Sequence, residues 1–323
     1  MKNVKNSNRS LNELLSEKMT ILKGEGRASH RNYRTLLRYI ESRYGVVPMS
    51  NVTPQFAAGL HSRLKGDRKS AATIKTYFAM LQSVASYGAY LGCVKGDHKL
   101  TRSKSYELDK VKLEKPKTRR NKWLSFEDMS KLWGYWESLP SVNRGEKRYL
   151  GLFLASYLAN GCNFADLLRL KYDDEYFSSG KRLFGFFRHK TINSSGVYVK
   201  VPIISKLKAV IGVVGDAEEY DGLVFGSFTS EVPEDDSESL DLRIMYMNTY
   251  CSKVVRKVCV KLGIREDVSV TFARHSYISR MHHIGAPYSL CERNVGHVLA
   301  GVADSYIGDY DIGTLFKWNE QIL

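Results

Sequence analysis

The sequence lacks the cysteine pattern of a disulfide-stabilised or zinc-binding protein. Its five cysteines are widely separated and none belongs to a C-x-x-C pair, so we expect buried thiols in a reducing compartment and neither a disulfide framework nor a metal site. No run approaches the ~18 apolar residues of a membrane span, and the start MKNVKNSNRS lacks the apolar segment of a signal peptide. We therefore expect a cytoplasmic protein without a membrane partner.

Acidic residues are scarce in the first third of the chain. Residues 1–122 contain 26 Lys and Arg against 9 Asp and Glu, whereas the remainder contains 23 against 25, so the first third carries all of the excess behind the net charge of +15. An imbalance of this size on a folded segment indicates a polyanionic partner, DNA or RNA. With 323 residues, 43% of them hydrophobic, the chain is long enough for two domains with separate cores.

Residues 1–112 are predicted to form a helical domain. Apolar periodicity, a Ser10-x-x-Glu13 capping box and the Thr53-Pro54 start signal predict four helices, over residues 10–23, 29–44, 54–66 and 70–92. Basic outer faces favour a module that clamps DNA, and a plain helical bundle is the alternative. The candidate DNA-binding residues of this domain are Arg31, Arg34, Arg38 and Lys75.

Residues 113–121 are predicted to be a basic linker. Apolar periodicity is lost from residue 93, and lysines and arginines gather around Pro116. We expect Lys117, Arg119 and Arg120 to cross the phosphate backbone between two domains, with a solvated tether as the alternative.

Residues 122–323 are predicted to form a second, mostly helical domain. A Ser125-x-x-Asp128 box starts a helix, and the almost wholly apolar stretch 147–160 predicts a buried central helix that ends at Gly161. A short helix is expected at NFADLLRL. The runs RLFGFFRHKT and GVYVKVPI predict two strands of a small antiparallel sheet. Helices are expected at about 203–213 and 246–262, and the acidic stretch 231–241 between them is expected to be an exposed, mobile loop.

Three groups with complementary chemistry follow in order near the end of the chain. Arg274 lies in the motif ARHSY, Gly296-His297 predicts a corner, and Tyr306 follows nine residues later. In this order and spacing, with a lysine on the predicted hairpin, the chain resembles a tyrosine recombinase of the phage integrase family over nearly its full length. The resemblance implies a helical, SAM-like core-binding domain, a basic linker and a catalytic domain whose C-terminal tail is residues 307–323.

The resemblance also implies a reaction and a role for each residue. Cleaving a phosphodiester without metal or cofactor needs a nucleophile, cations for the phosphate oxygens and a proton for the leaving oxygen. Tyr306 is the expected nucleophile, with Tyr310 as the competitor. Arg274 is expected to grip the phosphate through its guanidinium fork. His297 is expected to donate to that phosphate or to assist the phenol's proton loss, and Lys190 to protonate the leaving 5′ oxygen.

Two positions depart from the family pattern. The place of the first catalytic arginine, in a G-x-R pattern, reads Gly161-Cys162-Asn163, and Asn163 carries no charge. This loss resembles a subclass of integrases from conjugative transposons and related mobile elements. It implies that Arg188, two residues before Lys190, supplies the missing charge, although an ordinary DNA contact is the alternative; Asn163 is expected to hold the pocket by hydrogen bonding. Thr271 stands where the family has histidine or lysine, and can orient a phosphate but cannot act as a base.

The expected function is site-specific DNA recombination through a 3′-phosphotyrosine, for integration or excision of a mobile element. A DNA invertase, a catalytically silent DNA-binding regulator and a type IB topoisomerase are the alternatives. The expected partners are double-stranded DNA in the nucleoid, three further copies of the chain in a tetramer and accessory DNA-bending proteins. The apolar tail is expected either to dock on a neighbouring copy, exchanging tails within the tetramer, or to pack on its own domain.

Overall fold

The computed structural model of the chain describes residues 9–94, 98–103, 107, 110–115, 121–140, 144–192, 196–230, 232–233, 236–298 and 309–323. Its contacts divide the chain into two units, Met1–Arg119 and Arg120–Leu323. Most described residues are helical, and one two-stranded antiparallel sheet is present among them, so the predicted mainly α fold is confirmed. Within the described ranges, no helix is both long enough and apolar enough to cross a membrane.

Four helices make up the first unit: α1 (Leu11–Gly24), α2 (His30–Tyr44), α3 (Pro54–Gly66) and α4 (Ala71–Tyr90). The predicted capping box is present, because the Ser10 hydroxyl accepts from the backbone N–H of Glu13 and the Glu13 carboxylate accepts from that of Ser10. Thr53 caps α3 through the N–H of Phe56. The four helices thus begin and end within a few residues of their predicted bounds, since these start signals are local in sequence.

The predicted linker begins against the first unit. Leu113 packs on that unit's apolar core, and the Glu114 carboxylate lies 2.8 Å from the Lys65 ammonium nitrogen. The three cations predicted to cross the phosphate backbone, Lys117, Arg119 and Arg120, lie outside the described residues.

The second unit contains nine described helices and two strands: α5 (Phe126–Ser138), α6 (Arg144–Leu158), α7 (Phe164–Leu167), α8 (Asp174–Ser178), β1 (Leu183–Phe187), β2 (Tyr198–Pro202), α9 (Ser205–Val214), α10 (Ser237–Lys261), α11 (Thr271–His283), α12 (Tyr288–Asn294) and α13 (Ile312–Asn319). The predicted capping box of α5 is present, with Ser125 and Asp128 each accepting from the other's backbone N–H. α8 was not predicted; Asp173 starts it by accepting from the N–H of Tyr176 at 3.2 Å.

α6 is the buried centre of the second unit, as its apolar sequence predicts. Residues 152–160 are all buried, and α6 packs against α5, α9, α10 and α11. The helix ends where Gly161 adopts a φ of +63°. A Cβ at this position would lie 2.8 Å from the Cα of Arg274, so glycine both ends α6 and lets α11 pack against its end.

The predicted hairpin is present as the pair β1 and β2, with Leu183 opposite Pro202 and Phe187 opposite Tyr198. Phe184 and Val201 are buried on its inner face. Because residues 188–192 follow β1 directly, the hairpin carries Arg188 at the end of the strand and Lys190 in the turn.

The prediction of a mobile acidic loop over 231–241 was wrong for residues 237–241. These residues form the first turn of α10, nine residues ahead of the predicted helix start. The Asp236 carboxylate caps the helix by accepting from Ser239 N–H at 2.9 Å, and acidic residues in a first turn are favoured by the helix dipole. The Asp241 carboxylate then lies 2.6 Å from the Arg169 guanidinium.

The C-terminal segment packs on its own unit. α13 contacts β2, Leu315 and Ile322 are buried in the core, and the Tyr157 hydroxyl donates to the Ile322 carbonyl at 2.7 Å. The tail was expected either to dock on a neighbouring copy or to pack on its own domain. In this structure it packs on its own domain.

Replacing Gly161 with alanine should lower the free energy of unfolding by about 2 kcal/mol or more, because a left-handed φ and a close backbone contact both oppose a methyl group. Gly134→Ala in α5 is the matched control: no atom lies within 4 Å of its Cβ position, and alanine favours a helix by up to about 1 kcal/mol. Urea denaturation measures both. A Gly161→Ala protein as stable as wild type would contradict the close packing of α6 and α11.

Candidate active site

Arg274 is the fourth residue of α11, and its half-buried guanidinium lies against the ends of α6 and α12. It donates to the backbone carbonyl of Val295 and, at 3.4 Å, to that of Gly161. Burial lowers the pKa of Arg274 to about 10, and the nearby positive charge of Arg188 also lowers it. The side chain remains a cation at neutral pH, in surroundings that favour a bound anion.

His297 contacts the same guanidinium. Its Nε2 lies 3.1 Å from Arg274 Nη2, and its Nδ1 lies 2.9 Å from a Glu292 carboxylate oxygen. A guanidinium can only donate, so Nε2 is the acceptor and Nδ1 carries the proton that is donated to Glu292. Glu292 therefore fixes the tautomer and orientation of the ring, whose side chain is 42% exposed.

Gly296 forms the corner between α12 and His297, with a φ of +66°. A Cβ here would lie 2.1 Å from the Cδ of Arg188 and 2.9 Å from the Cγ2 of Val199. Only glycine fits, because a side chain would occupy the space that the aliphatic part of Arg188 fills.

Arg188 is a second arginine at this place, and it is buried. It is 7% exposed, and its Nη1 donates to the Gly296 carbonyl at 2.8 Å. Its Nε lies 3.9 Å from the Asp166 carboxylate, whose other oxygen accepts from the backbone N–H of His189 at 2.8 Å. Adjacent carbonyls, those of Val295 and Gly296, thus hold two guanidiniums, and one small cleft is lined by Asp166, Arg188 and Arg274.

The other predicted site residues are less closely tied to this cluster. Lys190 is exposed in the hairpin turn. Asn163 begins α7 without a capping hydrogen bond from its side chain. Thr271 is exposed at the start of α11, where its hydroxyl lies 2.9 Å from that of Ser269.

Tyr306 lies outside the described residues. The competing nucleophile, Tyr310, makes a hydrogen bond with another residue. The Tyr310 hydroxyl lies 2.6 Å from the Ser289 hydroxyl. Just before it, Asp309 has its carboxylate 3.1 Å from the Lys200 ammonium nitrogen. A groove of about 320 Å³ between β2 and α12 is lined by Lys200, Arg293, His297, Asp309 and Tyr310. The chain therefore returns to the described part of the structure beside His297.

The candidate DNA-binding residues of the first unit lie on its helices. Arg38 and Lys75 are exposed, whereas Arg31 and Arg34 are half-buried on α2.

Two polar residues of the site were not predicted. Asp166 and Glu292 each orient a functional side chain, but each is only one acidic residue on a short helix. The one sequence signal is spacing: Glu292 lies five residues before His297, at the helix end that the Gly296 corner closes.

Comparison with known proteins shows that the chain has a known fold. No protein-family model matches the sequence, and no curated protein matches it significantly. Among solved structures, the integrase of transposon Tn1549 in complex with transposon right end DNA is 13% identical, with a TM-score of 0.60 over 95% of this chain and 97% of that one. The same integrase with a circular intermediate DNA is 13% identical, with a TM-score of 0.62 over 94% and 96%. A lambda integrase dimer bound to a COC′ core site is 16% identical, with a TM-score of 0.58 over 92% and 95%.

The chain has the tyrosine recombinase fold. This similarity covers both units, so the fold expected from the ARHSY motif, the Gly296-His297 corner and the hairpin lysine is confirmed along nearly the whole chain.

Inorganic phosphate should stabilise the protein, because two adjacent guanidiniums, one buried and one half-buried, favour an anion. At about ten times its Kd, phosphate would add about 1.4 kcal/mol to the free energy of unfolding. Thermal melts in phosphate and in chloride of equal ionic strength measure this. Arg274→Met should remove the difference, whereas Arg169→Met, which replaces an arginine paired with Asp241, should keep it. An equal response in both variants would contradict an anion site at Arg274.

Proposed function

We propose that this chain is a site-specific DNA recombinase that cleaves and rejoins duplex DNA through a covalent 3′-phosphotyrosine at Tyr306. The observation that carries the proposal is the pair of guanidiniums of Arg274 and Arg188, held by adjacent carbonyls beside a histidine of fixed tautomer. This arrangement suits a phosphate whose non-bridging oxygens gain charge in the transition state. The tyrosine recombinase fold supports the same reaction.

Arg274 and Arg188 would bind the scissile phosphate. Both are cations set in place by backbone carbonyls, so their donors are oriented before DNA arrives. Arg188 would replace the arginine that Asn163 does not supply. Its support is position: Arg188 shares a cleft with Arg274 and lowers the pKa of that residue through its charge, which requires the two cations to be close.

His297 would accept the proton of the attacking phenol. In this structure Nδ1 donates to Glu292 and Nε2 accepts from Arg274, so the phenol would replace Arg274 as the donor to Nε2. As the phenol oxygen forms its bond to phosphorus, the bond from phosphorus to the 5′ oxygen breaks, and Lys190 would give a proton to that leaving oxygen. Reversal of the same transfers rejoins the strands without ATP.

Tyr306 is favoured as nucleophile over Tyr310. Three residues of chain span at most about 11 Å, so a tyrosine three positions before Asp309 is within reach of the groove beside His297. The Tyr310 hydroxyl, in contrast, is engaged with Ser289.

DNA would be held by both units, the first through its basic helices and the linker that follows. Two of the similar structures are of a transposon integrase, one with transposon right end DNA and one with a circular intermediate DNA, which favours integration or excision of a mobile element over inversion. Recombination between two sites would need four copies of the chain, and the C-terminal tail, which here packs on its own unit, would dock on a neighbour in that assembly.

Covalent capture tests the proposed function directly. Immobilised protein is incubated with a pool of nicked duplexes of randomised sequence and then washed with denaturant, so that only covalently linked DNA remains. Wild type should enrich a common site, since the nick releases a short strand and prevents religation. Tyr306→Phe should retain none, and the control Tyr310→Phe should retain the same site as wild type. No adduct with wild type, or an adduct with Tyr306→Phe, would overturn the proposal.

Arg188→Ala should lower the rate of adduct formation on that site by about a thousandfold, in the range seen when one donor to a transition-state oxyanion is removed, while the Kd for DNA changes little. Arg188→Lys, which keeps the charge but not the fork, should also be slow. Arg182→Ala is the matched control, because Arg182 is an exposed arginine at the other end of β1. Near-normal rates in both Arg188 variants would sink the idea that Arg188 replaces the missing arginine.

A further inference from the structure

Behind the two arginines, the second unit buries four polar side chains in contact with one another. Tyr277 and Asn319 are 0% exposed, Asn160 is 1% exposed and Asn294 is 4% exposed. Burying an amide or a hydroxyl is unfavourable unless its hydrogen bonds are made, so such a cluster is retained only where its geometry is satisfied.

The Tyr277 hydroxyl is the centre of this cluster. It accepts from Asn294 Nδ2 at 2.8 Å and can donate to Asn319 Oδ1 at 3.0 Å or to Asn160 Oδ1 at 3.3 Å. The remaining amide groups are satisfied by backbone: Asn160 Nδ2 donates to the Lys200 carbonyl at 2.9 Å and Asn319 Nδ2 to the Leu315 carbonyl at 2.8 Å. One hydroxyl thereby joins the ends of α6, α12 and α13 to α11.

Two of these asparagines each directly precede a residue that holds Arg274. Asn160 is followed by Gly161 and Asn294 by Val295, and the carbonyls of Gly161 and Val295 are the backbone acceptors of the Arg274 guanidinium. Arg274 itself lies three residues before Tyr277 on α11. Fixing the asparagine side chains therefore fixes the two carbonyls that aim the arginine.

We propose that Tyr277 is a positioning residue for Arg274: its hydroxyl, in contact with Asn294, Asn160 and Asn319, holds the Val295 and Gly161 carbonyls that orient the guanidinium. The inference rests on the proposed function for its effect on cleavage. Its structural part, the orientation of Arg274, stands without it.

Tyr157 provides a matched control. It is also fully buried, its ring contacts the Tyr277 ring at a centroid distance of 6.4 Å, and its hydroxyl also binds the C-terminal segment, at the Ile322 carbonyl. No hydrogen bond joins it to Asn160 or Asn294 among the described residues. Removing either hydroxyl deletes one buried hydrogen-bonding group, but only Tyr277 is connected to the carbonyls around Arg274.

The experiment compares Tyr277→Phe with Tyr157→Phe in the full chain. Both should lower the melting temperature, Tyr277→Phe by more, because it leaves more buried polar groups without a partner. Tyr277→Phe should slow adduct formation at saturating DNA by about tenfold or more with the Kd for DNA unchanged, as expected when an interaction made in the transition state is lost. Tyr157→Phe should stay within about twofold of wild type. Asn319→Leu, which removes the acceptor on α13, is a second variant and should slow the reaction in the same way.

The second readout does not depend on cleavage. The guanidinium N–H signals of Arg274, assigned by their loss in Arg274→Lys, should shift or broaden in Tyr277→Phe and remain in place in Tyr157→Phe. Equal changes in the two variants, in rate or in these signals, would overturn the inference. If wild type forms no adduct at all, the proposed function fails, and the guanidinium signals alone decide whether Tyr277 positions Arg274.

Discussion

The site depends on two adjacent backbone carbonyls, those of Val295 and Gly296, which accept from the guanidiniums of Arg274 and Arg188. Two like charges in a poorly hydrated place repel one another. The carbonyl dipoles and the carboxylate of Asp166 offset part of this repulsion. The remaining positive charge favours binding of an anion. A phosphate bound between the guanidiniums would therefore reduce their mutual repulsion.

Glycine makes this arrangement possible at both ends. Gly296 leaves room for the aliphatic part of Arg188, and Gly161 lets the end of α6 lie against α11 at Arg274. Both are left-handed, so each combines a turn with a close approach. The two glycines of the sequence motifs thus mark the places where the backbone itself contacts the arginines.

Sequence reasoning succeeded where the signals are local. The capping boxes at Ser10 and Ser125, the apolar run of α6 and the alternation in β1 and β2 each belong to one short segment, and each has the predicted structure. It failed at α10, because acidic residues that resemble a solvated loop also suit the first turn of a helix. Whether Arg188 and Lys190 act as assigned stays a prediction.

Residues that act through tertiary contacts gave no such signal. Asp166, Glu292 and Tyr277 owe their partners to segments far away in sequence or to one particular helix end, and no periodicity or motif points to a hydrogen bond across 108 residues such as that from Arg188 to the Gly296 carbonyl. The tail was left between two arrangements for the same reason, since an apolar pattern indicates burial without specifying the surface that buries it.

The two cations of the hairpin, Arg188 and Lys190, differ greatly in their exposure to solvent. Arg188 is enclosed, so its rotamer freedom is lost when the protein folds, whereas Lys190 is exposed and would lose its freedom only on DNA. If the two residues act as proposed, the arginine would meet the phosphate already in place, whereas the lysine would become ordered only when DNA binds. One hairpin would thus combine a donor fixed by folding with a donor fixed by the ligand.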